Sequence, residues 1–244
     1  MNNWRKKIII CLGVWLLFST SLATILTLKD PVARAVMAMG WGLIIFWIII
    51  GGSLAYRWKD RIKEIVLKIP LDWKIKFFLF AALMALIEEA ITTTMTNLAP
   101  LFGLRVGQAY ITASTNFIDV VLFHSAISFL GLFAFWALAL KRYDFSPFSV
   151  FIVFGITGVF AEVGFGGASH FLEFGLWIFV YGLMVFLPAY TLPSAQERGA
   201  LIKPKFYHYL IMIFAPILFV PLFAWIPYVL DQSHAYPAHF PPIS

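Results

Sequence analysis

Long apolar stretches alternate along the whole chain with short segments that hold most of its charges. A hydrocarbon core of ~30 Å needs about 20 helical residues at a rise of ~1.5 Å each. Seven stretches reach that length, namely residues 8–28, 33–56, 77–99, 117–140, 148–165, 171–190 and 209–230. The pattern predicts an all-α polytopic integral membrane bundle of about seven transmembrane helices, in which residues 1–244 form a single transmembrane domain.

The composition excludes an ordinary soluble domain. Apolar residues make up 61% of the chain and charged residues 12%, whereas soluble domains carry about 25% charged residues. The mean hydropathy of +0.88 points the same way. The basic residues that give the net charge of +6 lie in short loops, where they indicate the orientation of the chain in the membrane. The positive charge therefore gives no reason to expect a nucleic-acid partner. The expected surrounding is the lipid bilayer.

The basic residues are distributed unevenly between the two sets of loops. Fifteen of the 18 flank the N-terminus and alternate connections, while Lys29, Arg34 and Arg105 fall on the opposite side. The positive-inside rule then predicts a multi-pass protein of the cell membrane, with the N-terminus cytoplasmic and the C-terminal tail, residues 231–244, external. Residues 5–7 precede the first apolar run as in a signal peptide, but the run of about 21 residues favours an uncleaved helix.

Residues 57–69 combine apolar and basic side chains in a helical pattern. The apolar positions recur at helical spacing and are Trp58, Ile62, Ile65, Val66 and Ile69. Basic side chains occupy the remaining faces. This arrangement predicts a cytoplasmic interfacial amphipathic helix that binds anionic lipids. The alternative is a solvated loop anchored by its Trp and Lys residues, and neither interpretation implies catalysis.

Five acidic residues and two histidines fall where charge is costly. They lie within or at the ends of predicted spans and are Glu88, Glu89, Asp119, Glu162, Glu173, His124 and His170. An ionisable group at membrane depth costs at least ~2.5 kcal/mol, so it normally faces the bundle interior. Protonated acids bonded to Ser, Thr or backbone would be a purely structural explanation. The helical rise places all seven in the outer half of the bilayer, which favours a shared polar cavity.

A polar stripe follows the third predicted span outward from the paired acids. Glu89, Thr93, Thr96 and Asn97 share one helix face, because they are four, seven and eight residues apart. We therefore expect Glu89 to be the more solvent-accessible acid and Glu88 to pair with a neighbouring helix. The predicted cavity is lined by Glu88, Glu89, His124 and Glu162, and it opens outward past Thr93, Asn97, His170 and Glu173.

The chemistry of these groups suits a metal-dependent intramembrane enzyme. Carboxylates and imidazoles bind Zn²⁺, and a glutamate beside the metal serves as a general base for its bound water. The candidate catalytic residues are Glu88, Glu89, His124 and Glu162. The candidate ligands of a divalent metal such as zinc are Glu89, His124, His170 and Glu173.

The Glu88–Glu89 pair, His124 and His170 resemble the active-site residues of the CAAX-processing and bacteriocin-processing intramembrane proteases. The resemblance covers roughly residues 77–175 and implies a hydrolase whose site is marked by these four residues. The family's motif places Arg four residues after the second Glu, Phe four residues before the first His, and a polar residue four after the second. Here these positions hold Thr93, Val120 and Phe174, so the resemblance supplies a hypothesis and not membership.

Two other classes of function account for the same residues. In a proton- or cation-coupled transporter, Glu88, Glu89 and Glu162 would exchange protons or cations, and the prolines of residues 209–230 would break that span. In a non-catalytic accessory or assembly subunit, a membrane-protein partner would satisfy the acids. Metal content of the purified protein discriminates the enzyme from both alternatives.

Overall fold

A computed structural model describes residues 3–216. Their regular structure is helical, apart from an isolated parallel bridge between Tyr143 and Ile202. The helices are α1 (Asn3–Leu26), α2 (Pro31–Lys68), α3 (Trp73–Asn97), α4 (Phe117–Phe123), α5 (Ser125–Arg142), α6 (Pro147–Gly166), α7 (Phe174–Tyr190), α8 (Ala195–Arg198) and α9 (Phe206–Pro216). Short 3-10 helices cover Ala99–Phe102 and Ala168–Glu173.

Several of these helices are long and apolar enough to cross a membrane. Within residues 3–216 there are four, Asn3–Leu26, Pro31–Lys68, Pro147–Gly166 and Ala168–Tyr190, and a fifth if the bent pair α4–α5 crosses as one span. The prediction of a helical protein embedded in the membrane is therefore confirmed. Most of the predicted span 209–230 and all of the tail 231–244 lie outside the described residues.

The second helix does not end where the sequence pattern predicted. It runs through 38 residues, with a π-helical segment at Ile44–Gly51, so residues 57–68 continue the same helix as the predicted second span. Side-chain contacts join this part of α2 to the end of α7. The Tyr190 hydroxyl donates a 2.5 Å hydrogen bond to Asp60, and the ammonium groups of Lys59 and Lys63 lie 5.7 and 5.6 Å from the Tyr190 ring centroid.

Helices α6 and α7 pack at unusually close range because glycines line their contact. A Cβ atom at Gly155 would lie 2.6 Å from the Ile178 carbonyl oxygen, and one at Gly182 would lie 2.6 Å from the Phe151 ring. Small residues allow such close approach between helices. Gly155 and Gly182 therefore serve the close packing of α6 against α7.

A buried arginine, Arg198, joins separate segments of the chain at one end of the bundle. The Arg198 guanidinium donates 2.5 and 3.1 Å hydrogen bonds to the carbonyls of Leu140 and Pro193 and lies 3.5 Å from the Asp144 carboxylate. Burial lowers the pKa of Arg198, and Asp144 acts in the opposite direction. These contacts fix the segment after α7 against the ends of α5 and α6.

Candidate functional site

Glu88 and Glu89 lie side by side on α3 in the interior of the bundle. Their exposed fractions are 5% and 4%. The surrounding helices supply a third acid, because Glu162 of α6 lies within electrostatic range of both carboxyl groups. We refer to Glu88, Glu89, Glu162 and Tyr181 as the acid site.

Tyr181 connects α7 to this group of acids. Its hydroxyl donates a hydrogen bond to the Glu162 carboxylate, and its ring lies against Gly158, where a Cβ atom would come within 2.2 Å of the ring. Sequence reasoning missed Tyr181. The available signal was a tyrosine hydroxyl in the middle of an apolar run, since a buried hydroxyl requires a hydrogen-bond partner.

The loop between α3 and α4 covers the outward polar stripe. The Thr112 hydroxyl donates a 3.3 Å hydrogen bond to Glu89 Oε2, the Ile111 amide donates one of 3.3 Å to Thr96 Oγ1, and Asn97 Nδ2 donates one of 2.7 Å to the Thr115 carbonyl. Glu89 is eight residues before the end of α3, so the loop descends by ~12 Å along this helix.

The predicted opening past Thr93 is therefore closed by protein. Thr93 and Thr96 are 5% and 0% exposed, and only Asn97, at the end of the stripe, is exposed. The prediction failed because sequence spacing identifies a helix face without showing which segment covers it. Irregular backbone occurs at such depth in membrane proteins only where it is enclosed by protein or lines a polar cavity.

His124 lies at a break in the predicted span 117–140. Its φ of −126° and ψ of −121° are not helical, and the helices on either side are bent by 49° relative to each other. Its side chain is half-buried, and its carbonyl accepts a 3.3 Å hydrogen bond from Ser128 Oγ. Asp119, in the short helix before it, accepts a 3.4 Å hydrogen bond from Ser114.

The remaining predicted groups form a pair beside the acid site. His170 Nδ1 lies 3.0 Å from Glu173 Oε2, and the Trp177 indole donates a 3.1 Å hydrogen bond to the same oxygen. Glu162 lies within electrostatic range of both His170 and Glu173. Polar groups of the 3-10 helix Ala168–Glu173 therefore meet Glu162 at the edge of the acid site, whereas the prediction of a single cavity that also includes His124 stays a prediction.

The predicted metal ligands do not form a ready-made metal centre. Between residues 3 and 216, no three His, Cys, Asp or Glu side chains are placed to hold one ion. His170 and Glu173 are neighbours, whereas Glu89 is bonded to Thr92 and Thr112. The divalent metal remains a prediction.

Comparison with known proteins identifies no relative. No family model matches the chain, and neither a curated protein nor a solved structure does. The function must therefore be argued from the chemistry of the acid site.

Proposed function

We propose that this protein is a membrane carrier that exchanges protons for a cation at the acid site. The observation that carries the proposal is that Glu88 and Glu89 are buried in the bundle interior and that half-buried Glu162 lies within electrostatic range of both. Among the described residues, no Lys or Arg forms an ion pair with Glu88 or Glu162. Three ionised carboxylates at close range would repel one another strongly away from water. Protons or a bound cation must neutralise them, and the two compete for the same oxygens.

We further propose the finer topology of this carrier, with seven spans in the cell membrane, the N-terminus cytoplasmic and the C-terminus external. The clustering of basic segments supports it. The Arg5 guanidinium lies 5.4 Å from the Phe148 ring centroid, Asp60 bonds to Tyr190, and Arg198 bonds to Leu140. Four basic segments therefore share one end of the bundle. Anionic lipids are the proposed partners of the basic half of α2.

The metal-dependent hydrolase and the accessory subunit remain alternative predictions. The hydrolase requires a metal, and no preformed set of three ligands supports it in residues 3–216. The accessory subunit requires a membrane-protein partner. A stoichiometric metal in the purified protein would favour the hydrolase, whereas co-purification of a fixed partner would favour the subunit.

Proton flux in reconstituted vesicles tests the carrier. Vesicles enclosing a pH-sensitive dye are given an outward proton gradient, and candidate cations are added outside. We expect cation-dependent proton efflux with the wild-type protein. Glu89→Gln should abolish it, because the amide cannot exchange a proton yet still accepts the hydrogen bonds of Thr92 and Thr112.

The matched control is Glu64→Gln, which makes the same change at an exposed residue of α2 and should transport as the wild type does. Efflux from the Glu89→Gln vesicles at the wild-type rate would overturn the proposal. So would wild-type vesicles that behave as empty ones across inorganic and organic cations.

A further inference from the structure

An apolar cavity of about 300 Å³ lies beside the acid site, between α5, α6 and α7. Five of the ten described residues that line it are aromatic, namely Phe129, Phe154, Phe160, Phe165 and Tyr181. Phe160 and Phe165, on its rim, are 37% and 85% exposed. The cavity is therefore accessible from the side of the described bundle.

Tyr181 belongs to both the cavity and the acid site. Its ring forms part of the cavity wall and meets the Phe129 ring edge-on, with the centroids 5.6 Å apart. Its hydroxyl donates a hydrogen bond to Glu162. A molecule in the cavity would thus have aromatic walls around it and a carboxylate only one ring length away.

A buried polar atom near the acid pair also lacks a partner. Thr93 is 5% exposed, and its hydroxyl makes no hydrogen bond within the described part of the chain. Thr93 lies one helical turn from Glu89 on the same face of α3. Since an unsatisfied buried hydroxyl is unfavourable, this atom is a candidate to be satisfied by a bound molecule.

We propose that the cation bound here is a lipophilic organic cation, whose apolar groups fill the aromatic cavity and whose charge is neutralised by the acid site. This inference rests on the proposed cation-binding function and specifies its ligand class. Aromatic faces attract quaternary ammonium and similar cations. A small inorganic ion would leave the apolar cavity unused, and a neutral molecule would not compete with protons for the carboxylates.

Equilibrium binding of tetraphenylphosphonium to the full chain in detergent tests the ligand class. Tetraphenylborate has the same shape and the opposite charge, and empty micelles report partitioning alone. We expect saturable binding of the phosphonium at one site per chain and no saturable binding of the borate. Saturable binding of both ions, or of neither, would overturn the proposal.

Filling the cavity tests its location. Gly164 lines the cavity, and a Cβ atom there would meet nothing within 4 Å, so Gly164→Leu adds volume without displacing a neighbour. Phosphonium affinity should fall by at least about tenfold, or ~1.4 kcal/mol. Gly40→Leu is the matched control, because Gly40 is also helical, outside the cavity lining and in open space. Equal binding by the two variants would refute the cavity site.

Glu162→Gln tests the charge. Glutamine keeps an acceptor for the Tyr181 hydroxyl, and we expect about a tenfold loss of phosphonium affinity without a change in unfolding temperature. Wild-type affinity in this variant would refute the role of the carboxylate. The two proposals fail separately. Phosphonium binding without proton flux would overturn the carrier and leave the ligand class standing. Proton flux with small cations but no phosphonium binding would overturn the ligand class and leave the carrier standing.

Discussion

The Thr112 hydroxyl lies 3.3 Å from the Glu89 carboxylate, to which it donates a hydrogen bond across 23 residues of chain. Glu89 also accepts a 3.4 Å hydrogen bond from Thr92 on its own helix. The bond to Thr112 is therefore a contact between the loop and the acid pair. The loop therefore covers the acid site.

Thr112→Val should loosen the loop between α3 and α4 without unfolding α3. The isostere removes the donor, and loss of a hydrogen bond to a buried acceptor costs about 1–3 kcal/mol. Hydrogen–deuterium exchange read by mass spectrometry should show faster exchange in residues 108–116 and unchanged exchange in α3. Thr94→Val is the control, because Thr94 is exposed and bonds to the Ala90 carbonyl of its own helix. Identical loop protection in the wild type and Thr112→Val would contradict the prediction.

Gly155→Ala should strongly destabilise the bundle. Its Cβ atom would meet the Ile178 backbone at 2.6 and 2.8 Å, and backbone cannot yield as a flexible side chain does, so α6 and α7 must separate. Overpacking of this kind costs about 1–3 kcal/mol or more. Thermal unfolding in detergent measures the effect. Gly13→Ala, in open space on α1, should unfold at or above the wild-type temperature, and equal behaviour of the two variants would disprove the close contact.

Arg198→Ala should destabilise the end of the bundle that holds the basic segments. The change leaves the carbonyls of Leu140 and Pro193 without their donor, at about 1–3 kcal/mol for each group that stays buried. Lys141→Ala, at an exposed position on the same end, should have little effect. Limited proteolysis between residues 191 and 205 provides the readout, and an unchanged cleavage rate in Arg198→Ala would argue against the anchoring role.

Reporter insertions test the proposed orientation. Reporters placed after Leu71 or after Tyr143 should be cytoplasmic, and one placed after Gly107 should be external, because the basic residues concentrate on the first side. A cytoplasmic reporter at the C-terminus would exclude the seven-span arrangement.

The broad features of this protein followed from the energetic cost of burying charge. That cost predicted a shared interior region for Glu88, Glu89 and Glu162. The structure buries Glu88 and Glu89 and leaves Glu162 half-buried, within electrostatic range of both. Apolar length likewise identified the long helices. Both inferences depend on the charge or hydrophobicity of individual residues, which can be read directly from a single sequence.

The features that sequence reasoning missed depend on contacts between distant segments. Thr112 reaches Glu89 because the loop folds back along α3, and no periodicity records that path. Tyr181 reaches Glu162 because Gly158 leaves space for its ring. Asp60 of α2 bonds to Tyr190, which is 130 residues away in the chain.

The length of α2 has a mechanical consequence. At ~1.5 Å per residue, its 38 residues extend about 57 Å, so an upright helix would project about 27 Å beyond a ~30 Å hydrocarbon core. Electrostatic screening at physiological salt acts over about 8 Å, so charges at the far end would barely sense lipid phosphates. Only a tilted helix would bring those charges within reach of an anionic surface, and the bond between Asp60 and Tyr190 joins this part of α2 to the end of α7, the helix that carries Tyr181.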